Sequence, residues 1–135
     1  ATVKAQGLLC PVLDPTLTST SVEQYASAPM LSRPVLEWCI GQYFPDARTR
    51  RSPAASPLLK ASLAAAPPAV IFSSEIDPVS GDARRYSAEL AAAGVRSELR
   101  EYAGMPHSFF LLAGMLDESE RAIAGFAEKL SKLLR

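Results

Sequence analysis

Hydrophobic side chains are concentrated in three short runs along this chain, and each run predicts a strand. Residues 3–12 are mostly apolar and end among prolines, a pattern typical of a buried strand. Residues 69–74 are rich in β-branched and aromatic side chains and are also framed by prolines. Residues 95–102 are more polar, so the third strand is expected toward the edge of a sheet.

Apolar residues at helical spacing predict two helices between these runs. The first begins at Ser32, a residue type that caps helices, and is stopped by Pro45. The second is capped by Ser80 or Asp82 and ends at Gly94, the expected C-terminal glycine. The predicted apolar stripes are Val35, Leu36, Cys39, Ile40 and Tyr43 for the first helix, and Ala83, Tyr86, Leu90 and Ala93 for the second.

The remaining segments are predicted to be irregular, apart from one last helix. Residues 14–29 are rich in Thr, Ser and Pro, and residues 45–68 contain five prolines, so we expect loops with a short turn near residues 62–66. Asp117 and Glu120 fit a capping box at the start of the last helix. The buried stripe predicted for this helix is Ile123, Phe126, Ala127, Leu130 and Leu134.

The order of these elements predicts an α/β fold. Strand, helix and strand within residues 69–102 fit a right-handed βαβ unit of a parallel sheet. The strand at residues 3–12 brings the total to about three parallel strands, with flanking helices on both faces. The 135 residues correspond to one domain or to part of a larger one. The chain does not begin with Met, so we expect it to be part of a longer polypeptide.

Charge and composition argue against several classes of partner. The 14 basic residues offset the 14 acidic ones, so no net charge attracts nucleic acid or an anionic membrane. No apolar stretch is long enough to span a bilayer. The first residues lack the basic and apolar regions of a secretory signal, and we expect a cytoplasmic location.

The two cysteines, Cys10 and Cys39, are far apart and each lies among apolar residues. We expect two buried, reduced thiols, because free cysteine behaves as a small hydrophobic residue. A disulfide between Cys10 and Cys39 is the alternative. One histidine and no Cys-x-x-Cys pattern argue against a zinc site, so no metal and no cofactor is expected.

Two chemically capable side chains directly follow predicted strands. Asp77 comes after the apolar run at residues 69–76, and His107, the only histidine, lies in a breaker-rich turn at residues 104–110. Open α/β sheets place functional groups beyond the carboxyl ends of their strands. An acid followed about thirty residues later by a base has the order of the last two members of a Ser–Asp–His triad. No Gly-x-Ser-x-Gly motif for the nucleophile is present.

Three stretches, residues 67–78, 86–95 and 105–110, resemble the hormone-sensitive-lipase-like esterases of the α/β-hydrolase superfamily. Residues 10–14 and 55–58 are also similar to segments of that family. The resemblance covers essentially the whole chain but only the C-terminal part of such an enzyme. The family's His-Gly-Gly-Gly oxyanion loop and Gly-Asp-Ser-Ala-Gly nucleophile motif have no counterpart here.

The sequence departs from the family pattern at two places. Ser108 follows the histidine where the family usually has glycine. Residues 80–82, Ser-Gly-Asp, stand where the family commonly has Arg-Asp-Glu. Neither change removes a catalytic group, but both affect positions that shape a loop or a helix cap.

The resemblance implies that residues 1–135 are the C-terminal portion of an α/β-hydrolase domain. Residues 14–68 would be a cap-like or pocket-like insertion, and residues 69–135 would carry the acid and the base. His107 would take the proton of a serine hydroxyl, and Asp77 would orient the imidazole and stabilise its protonated form. Alone, a histidine in a turn is usually a packing residue and an Asp before Pro a turn former, but their joint presence at the family's spacing favours a catalytic pair.

The implied activity is hydrolysis of a carboxylic ester by a serine nucleophile from a missing N-terminal part. None of Ser56, Ser73, Ser74 and Ser108 is expected to replace it, because none lies on a strand-to-helix elbow. The resemblance implies a pocket for a small acyl ester, and ordinary core packing is the alternative for its residues. The candidate substrate-binding residues are Trp38, Tyr43, Phe44 and Phe109.

A second hypothesis is a catalytically silent protein that acts as a binding or assembly module. In either case the outer edge of the strand at residues 3–12 is expected to be bare, flat and apolar. We therefore expect association with the missing N-terminal hydrolase segment, or self-association as a homodimer or by domain swapping. The strand at residues 95–102 is a second candidate surface for a homodimer.

Overall fold

In a computed structural model, which describes residues 3–135, three parallel strands form one sheet. They are β1 (Gln6–Leu9), β2 (Ala69–Ile76) and β3 (Ser97–Pro106), in the spatial order β1-β2-β3. Both pairings are parallel, and β2 lies between the other two. The predicted α/β class with three parallel strands is confirmed.

The first strand is shorter and less buried than predicted. It has four residues instead of the ten of the run at residues 3–12, and it pairs with β2 only from Ala69 to Phe72. Side chains along β1 alternate between half-buried and exposed, because this strand is at the edge of the sheet. After Leu9 the backbone leaves the sheet, since Cys10 has a φ of 43° and the next residue is Pro11.

The first helical region differs from the prediction at one point. Helix α1 (Thr20–Gln24) interrupts residues 14–29, which were expected to be loop. This five-residue helix is held against the chain after β2, because the Ser21 hydroxyl donates to the carbonyl of Pro78 and accepts from the N–H of Gly81. Helix α2 (Arg33–Tyr43) follows Ser32 and stops before Pro45, as predicted. Residues 45–68 are otherwise irregular, with 3-10 turns at Ala47–Arg51 and Pro57–Leu59. A hydrogen-bonded turn at residues 63–66 lies where a short turn was predicted.

Two longer helices follow β2 and β3. Helix α3 (Ser80–Ala92) ends before Gly94, whose φ of 74° is the left-handed conformation expected after a helix. Helix α4 (Asp117–Leu133) begins at Asp117, but the predicted capping box is wrong. Asp117 is already the first helical residue, and the Glu120 carboxylate accepts from the N–H of Gly114 in the preceding turn.

The core lies on both faces of β2, as predicted for helices on both sides of the sheet. On one face, Ile71 packs with Ala83 and Leu90 of α3. On the other face, Phe72 packs with the rings of Tyr102 and Phe126. All side chains from residue 69 to residue 74 are buried, which is typical of a central parallel strand.

The buried face of α4 is rotated from the predicted stripe. Ser119 and Ala122 are buried, and Phe126 packs partly against the sheet. Ile123 and Leu134 are exposed, and Ala127 is exposed as well. Phe126 lies on the side of α4 that faces the sheet, and its ring approaches β1 closely enough that a Cβ on Gly7 would lie 2.8 Å from Cζ. None of the helices described here is sufficiently long and apolar to cross a membrane.

Candidate active site

Asp77 follows β2 directly and its carboxylate is fixed by two contacts. Oδ1 accepts a hydrogen bond of 2.9 Å from the N–H of Val79, and Oδ2 lies 2.8 Å from Nδ1 of His107. The Asp77 carbonyl also accepts from the N–H of Ser80 at the start of α3. The side chain is fully buried. Both carboxylate oxygens are therefore occupied, and the turn that begins α3 sets their direction.

The pairing of β2 with β3 places His107 beside this carboxylate. Between the partners Ser74–Tyr102 and Ile76–Pro106, four residues of β3 match two residues of β2, so β3 bulges and then returns to its neighbour. The Glu75 carboxylate closes the bulge by accepting a bond of 2.7 Å from the N–H of Gly104. Since Pro106 pairs with Ile76, the residues that follow each of them meet.

Ser108 explains why glycine is usual after the histidine in the resembled family. Its backbone is left-handed, with φ 53° and ψ 30°. A side chain in this region costs roughly 1–2 kcal/mol, whereas glycine adopts it freely. The departure at Ser108 is therefore accommodated with backbone strain, and His107 still lies 2.8 Å from the Asp77 carboxylate.

The hydrogen bond between Asp77 and His107 determines what the imidazole can do. With the proton on Nδ1 donated to the carboxylate, a neutral ring offers the lone pair of Nε2 as an acceptor. The side chain of His107 is 20% exposed, so the ring reaches the surface while its partner does not. A neighbouring hydroxyl can then lose its proton to Nε2, and the buried carboxylate stabilises the resulting imidazolium.

A third functional side chain, the thiol of Cys10, lies beside the pair. One atom each from Cys10, Asp77 and His107 lie within 4.8 Å of one another. The Cys10 sulfur is also 3.3 Å from the hydroxyl of Ser74. Burial raises the pKa of the Cys10 thiol, and the negative charge of Asp77 acts in the same direction. The expected buried, free thiol is confirmed for Cys10, but Cys39 is exposed, so that prediction is wrong for the second cysteine.

Asp82 holds the chain after β1 at the same end of the sheet. Its Oδ2 accepts from the N–H groups of Leu13 and Asp14, at 2.9 and 3.0 Å. Burial raises the pKa of Asp82 to about 6, and the charge of Asp14 adds to this while the two N–H groups oppose it. The predicted cap of α3, Ser80 or Asp82, was wrong, because Val79 precedes the helix and no side chain caps it. Asp82 makes a different contact. Its side chain leaves the first turn of α3 toward the neighbouring loop, and no local pattern marks such a contact between residues 68 positions apart.

Asp14 is the second buried carboxylate of this loop. Burial opposes its ionisation, but hydrogen bonds from Thr16, Thr18 and Ser56 outweigh burial and lower the pKa of Asp14. These contacts tie the chain after β1 to the turn at residue 56.

The serines considered as replacement nucleophiles make other contacts. Ser56 donates to Asp14, Ser73 lies 3.5 Å from the carbonyl of Ser74, and Ser74 contacts the Cys10 thiol. Within residues 3–135 no hydrogen bond joins any of these hydroxyls, or that of Ser108, to His107. The described part of the chain therefore contains the acid and the base without a hydroxyl in position.

The aromatic residues proposed for substrate binding are separated by the structure. Tyr43 and Phe44 line a cavity of about 690 Å³ between α2 and the turns at residues 47–59. Trp38 is 65% exposed and is not among the lining residues. Phe109 is fully buried against Phe110 and Tyr102. The structure thus places two of the four at a cavity and one in the core, and their role in binding stays a prediction.

Comparisons with known proteins agree with this geometry. A family model described as alpha/beta hydrolase fold matches residues 1–111. The ethyl acetate hydrolase of Pseudomonas putida is 29% identical over 134 residues, which are 99% of this chain and 42% of that protein.

Solved esterase structures superpose on almost the whole chain. A hyperthermophilic esterase from the archaeon Pyrobaculum calidifontis has a TM-score of 0.91 and 29% identity, covering 98% of this chain and 44% of that one. The esterase EstE5, soaked by p-nitrophenyl butyrate, has a TM-score of 0.85 and 25% identity, covering 96% and 43%. The chain therefore spans less than half the length of the relatives it matches.

Proposed function

We propose, from the premise that this chain belongs to the α/β-hydrolase family, that it supplies the acid and the base of a carboxylic-ester hydrolase. The observation that carries the proposal is the 2.8 Å contact between His107 Nδ1 and the buried carboxylate of Asp77. The similarity to esterases over nearly all of the chain supports the same chemistry. The serine nucleophile and the oxyanion hole come from residues outside these 135.

The two side chains act in sequence during such a reaction. Nε2 of His107 takes the proton as the serine oxygen forms a bond to the ester carbonyl carbon. The carbon–oxygen bond to the alcohol then breaks, and the imidazolium gives its proton to the departing alcohol. A water molecule repeats the cycle on the acyl-enzyme and releases the acid. Asp77 stabilises the imidazolium in both halves without taking the proton itself.

The proposed substrate is an ester with a short acyl chain. The cavity is lined mainly by apolar residues, and Val12 is one of them. Val12 lies two residues after Cys10, so their Cα atoms are within about 7 Å of each other, and Cys10 contacts the catalytic pair. The closeness of a lining residue to Cys10 supports the cavity as the acyl site for this pair. The names of the relatives, which refer to ethyl acetate and to p-nitrophenyl butyrate, support short acyl groups.

The proposal includes association with another polypeptide segment. No strand among residues 3–135 pairs with the outer edge of β1, and Leu9 and Val12 beside it are exposed. An open edge with apolar side chains favours addition of a further strand. The N-terminal segment of the hydrolase is the proposed occupant, and a second copy of this chain is the alternative. Native mass spectrometry separates the two by the mass of the complex, and a monomer of these residues alone would contradict both.

The location of the protein is proposed to be cytoplasmic. Both cysteines are free, and free thiols are typical of reducing compartments. Labelling of intact cells with a membrane-impermeant thiol reagent would test this, because an exposed Cys39 outside the cytoplasm would react.

The activity is tested with p-nitrophenyl butyrate and the full polypeptide that contains these residues. We expect His107→Ala to lower kcat by at least about ten-thousandfold, because the base is lost. Asp117→Asn, which changes an exposed carboxyl at the start of α4, is the control and should stay within about twofold. Full activity of the His107→Ala protein would contradict the proposal. No hydrolysis by the unchanged polypeptide would favour a catalytically silent binding or assembly module.

A further inference from the structure

Three side chains that commonly bind metals converge from the ends of three different strands. Cys10 follows β1, Asp77 follows β2, and His107 lies just beyond β3. One atom from each, a sulfur, a carboxylate oxygen and a ring nitrogen, lie within 4.8 Å of the other two. The acid and the base account for two of these groups. The position of the thiol beside them has no part in the proposed ester hydrolysis.

The chemistry of this set of donors matches a borderline-soft divalent cation. Zinc takes thiolate, imidazole and carboxylate ligands together, and sites with three protein ligands leave a fourth position for water. Magnesium and calcium prefer oxygen ligands alone, so a thiol and an imidazole disfavour them. The three donors therefore select zinc over the hard cations.

Burial adds an electrostatic reason for a cation at this point. The Asp77 side chain is fully buried and Cys10 is 5% exposed, so a carboxylate and a thiolate here would both be removed from water. A divalent cation compensates two such negative charges directly. Access is available from the side of His107, whose ring reaches the surface.

The distances require only a small closure of the three side chains. Ligand atoms around one tetrahedral zinc ion are separated by about 3.3–3.6 Å, given bonds of about 2.0–2.3 Å. Separations of up to 4.8 Å must therefore shrink by about 1 Å, and the 2.8 Å between Nδ1 of His107 and Oδ2 of Asp77 must widen by about 0.5 Å. Rotation of the Cys10 and His107 side chains about their Cα–Cβ bonds moves these atoms by that amount without moving the strands.

We propose that Cys10, Asp77 and His107 form a binding site for a zinc-type divalent cation, which blocks the acid–base pair when occupied. On binding, the Cys10 thiol releases its proton to solvent, and the sulfur bonds to the metal. His107 stays neutral and keeps its single proton on the nitrogen that the metal does not contact. The metal replaces the hydrogen bond between His107 and Asp77. The site itself rests on this geometry alone, and only its inhibitory effect rests on the proposed function.

The first experiment leaves all three ligands intact. Cys39→Ser removes the exposed thiol, so that Cys10 is the single cysteine of these residues. Cobalt(II) is titrated into the full polypeptide carrying this change, and absorption is recorded. We expect a sulfur-to-cobalt charge-transfer band in the near ultraviolet together with the intense visible bands of tetrahedral cobalt, both abolished by equimolar zinc. Saturation without a sulfur band would overturn the proposal, as would no binding.

The second experiment assigns the ligands by zinc calorimetry. Cys10→Ser and, separately, His107→Gln should each weaken zinc binding at least about tenfold, because even residues behind a ligand contribute that much. Cys39→Ser is the matched control and should bind zinc as the unchanged protein does. Circular dichroism shows which variants are folded. If a ligand variant does not fold, the cobalt spectrum of the Cys39→Ser protein still tests the site, because that protein keeps all three ligands. Equal zinc affinity in a folded Cys10→Ser protein, or loss of affinity in Cys39→Ser, would overturn the assignment.

Activity distinguishes failure of this site from failure of the proposed function. If zinc binds through Cys10 and lowers ester hydrolysis in proportion to occupancy, both inferences hold. Zinc binding with the cobalt–sulfur band in a protein that does not hydrolyse esters supports the site and contradicts the function. Hydrolysis that persists when the site is saturated contradicts the inhibitory role.

Discussion

The residues before and after position 69 are held in place by different kinds of contact. After it, β2, α3, β3 and α4 are long elements whose apolar side chains fill both faces of the sheet. Before it, β1 has four residues and α1 has five, and buried polar contacts to the other part add to their packing. The N–H groups of Leu13 and Asp14 donate to Asp82, and the Ser21 hydroxyl donates to the carbonyl of Pro78. Large apolar side chains are exposed more often in the first part than in the second. They are Val3, Leu9, Val12, Met30, Val35, Trp38, Tyr43 and Leu59 in the first part, and Leu111, Met115, Ile123 and Leu134 in the second.

This difference separates the acid–base pair from the cavity. Asp77 and His107 both follow strands of the second part, and the pairing of β2 with β3 fixes their distance. The cavity is lined by the first part, whose place on the sheet depends on buried polar groups as well as on apolar packing. Loosening those groups should therefore disturb the cavity and leave the pair in place.

The largest expected effect on stability comes from Asp82→Ala. The change leaves the N–H groups of Leu13 and Asp14 buried without an acceptor, which costs about 1–3 kcal/mol each. We expect a loss of about 2–5 kcal/mol in the free energy of unfolding, measured by urea denaturation. Hydrogen exchange should show that these two amides lose protection while amides of β2 keep theirs.

Asp117→Ala is the matched control for this carboxylate. Asp117 is exposed and lies in the first turn of α4, so its removal should cost less than about 1 kcal/mol. If Asp82→Ala cost no more than Asp117→Ala, the first part would not depend on the buried carboxylate. The contrast between the two parts would then fail.

The same residue should give the stability a distinctive dependence on pH. Burial raises the pKa of Asp82 from 3.8 to about 6, so between these values the folded protein binds more protons than the unfolded one. This contribution to the unfolding free energy is complete below about pH 4 and is lost as pH rises through about 6. The loss is at most about 3 kcal/mol.

Asp82→Asn isolates this effect, because it keeps an acceptor for the two N–H groups and removes the titration. The variant should lack the decline between about pH 4 and pH 6 in urea denaturation series. Asp14, whose pKa is lowered, titrates below this window and in the opposite sense, so it does not produce the decline. If the free energy of unfolding depended on pH in the same way in both proteins, the pKa of Asp82 would not be raised by folding.

How much the sequence revealed also differs between the two parts. The strand at residues 69–74, the helix after Ser80 and the order of acid and base were predicted, because long periodic runs, flanking glycine and proline, and family motifs are local signals. The extent of β1 was not, because a strand at a sheet edge is defined by its partner and not by its own composition. The helix α1 was missed for the same reason, since it is stabilised by contacts to Pro78 and Gly81.

The site shows the same limit. The approach of His107 to Asp77 was implied by the resemblance, but the third group, Cys10, is 67 residues from Asp77 in the chain and only the sheet brings it there. The role of Asp82 likewise needs the loop that it holds. Phe109 is buried in the core, whereas Tyr43 and Phe44 line the cavity. The sequence did not predict this difference, because an aromatic residue looks the same in a sequence whether it lies in a core or at a pocket.

Gly81→Ala tests the second polar connection between the parts. A Cβ at this position would lie 1.8 Å from the Ser19 hydroxyl oxygen and 2.9 Å from that of Ser21, so these side chains at the start of α1 must move. We expect a net loss of about 1–2 kcal/mol, the strain of overpacking less the gain in helix propensity. Gly41→Ala is the matched control, since nothing lies within 4 Å of its Cβ, and it should stabilise by up to about 1 kcal/mol. If the two changes had equal effects on thermal unfolding, the contact between α1 and the start of α3 would not contribute to stability.

The smallest expected effect, and one of opposite sign, is that of Ser108→Gly within the second part. Ser108 has a left-handed backbone, so removal of its Cβ relieves strain that is partly offset by the greater freedom of glycine when unfolded. We expect a gain of about 0.5–1 kcal/mol in the free energy of unfolding.

Ser108→Ala keeps the Cβ and should show no such gain, which separates backbone strain from the lost hydroxyl. Because the register of β2 and β3 and not this residue sets the distance from His107 to Asp77, kcat should change less than about threefold. Introducing glycine where φ is negative normally lowers stability. If Ser108→Gly lowered the free energy of unfolding by that usual amount, residue 108 would not be left-handed in solution. The backbone beside the catalytic base would then not be strained.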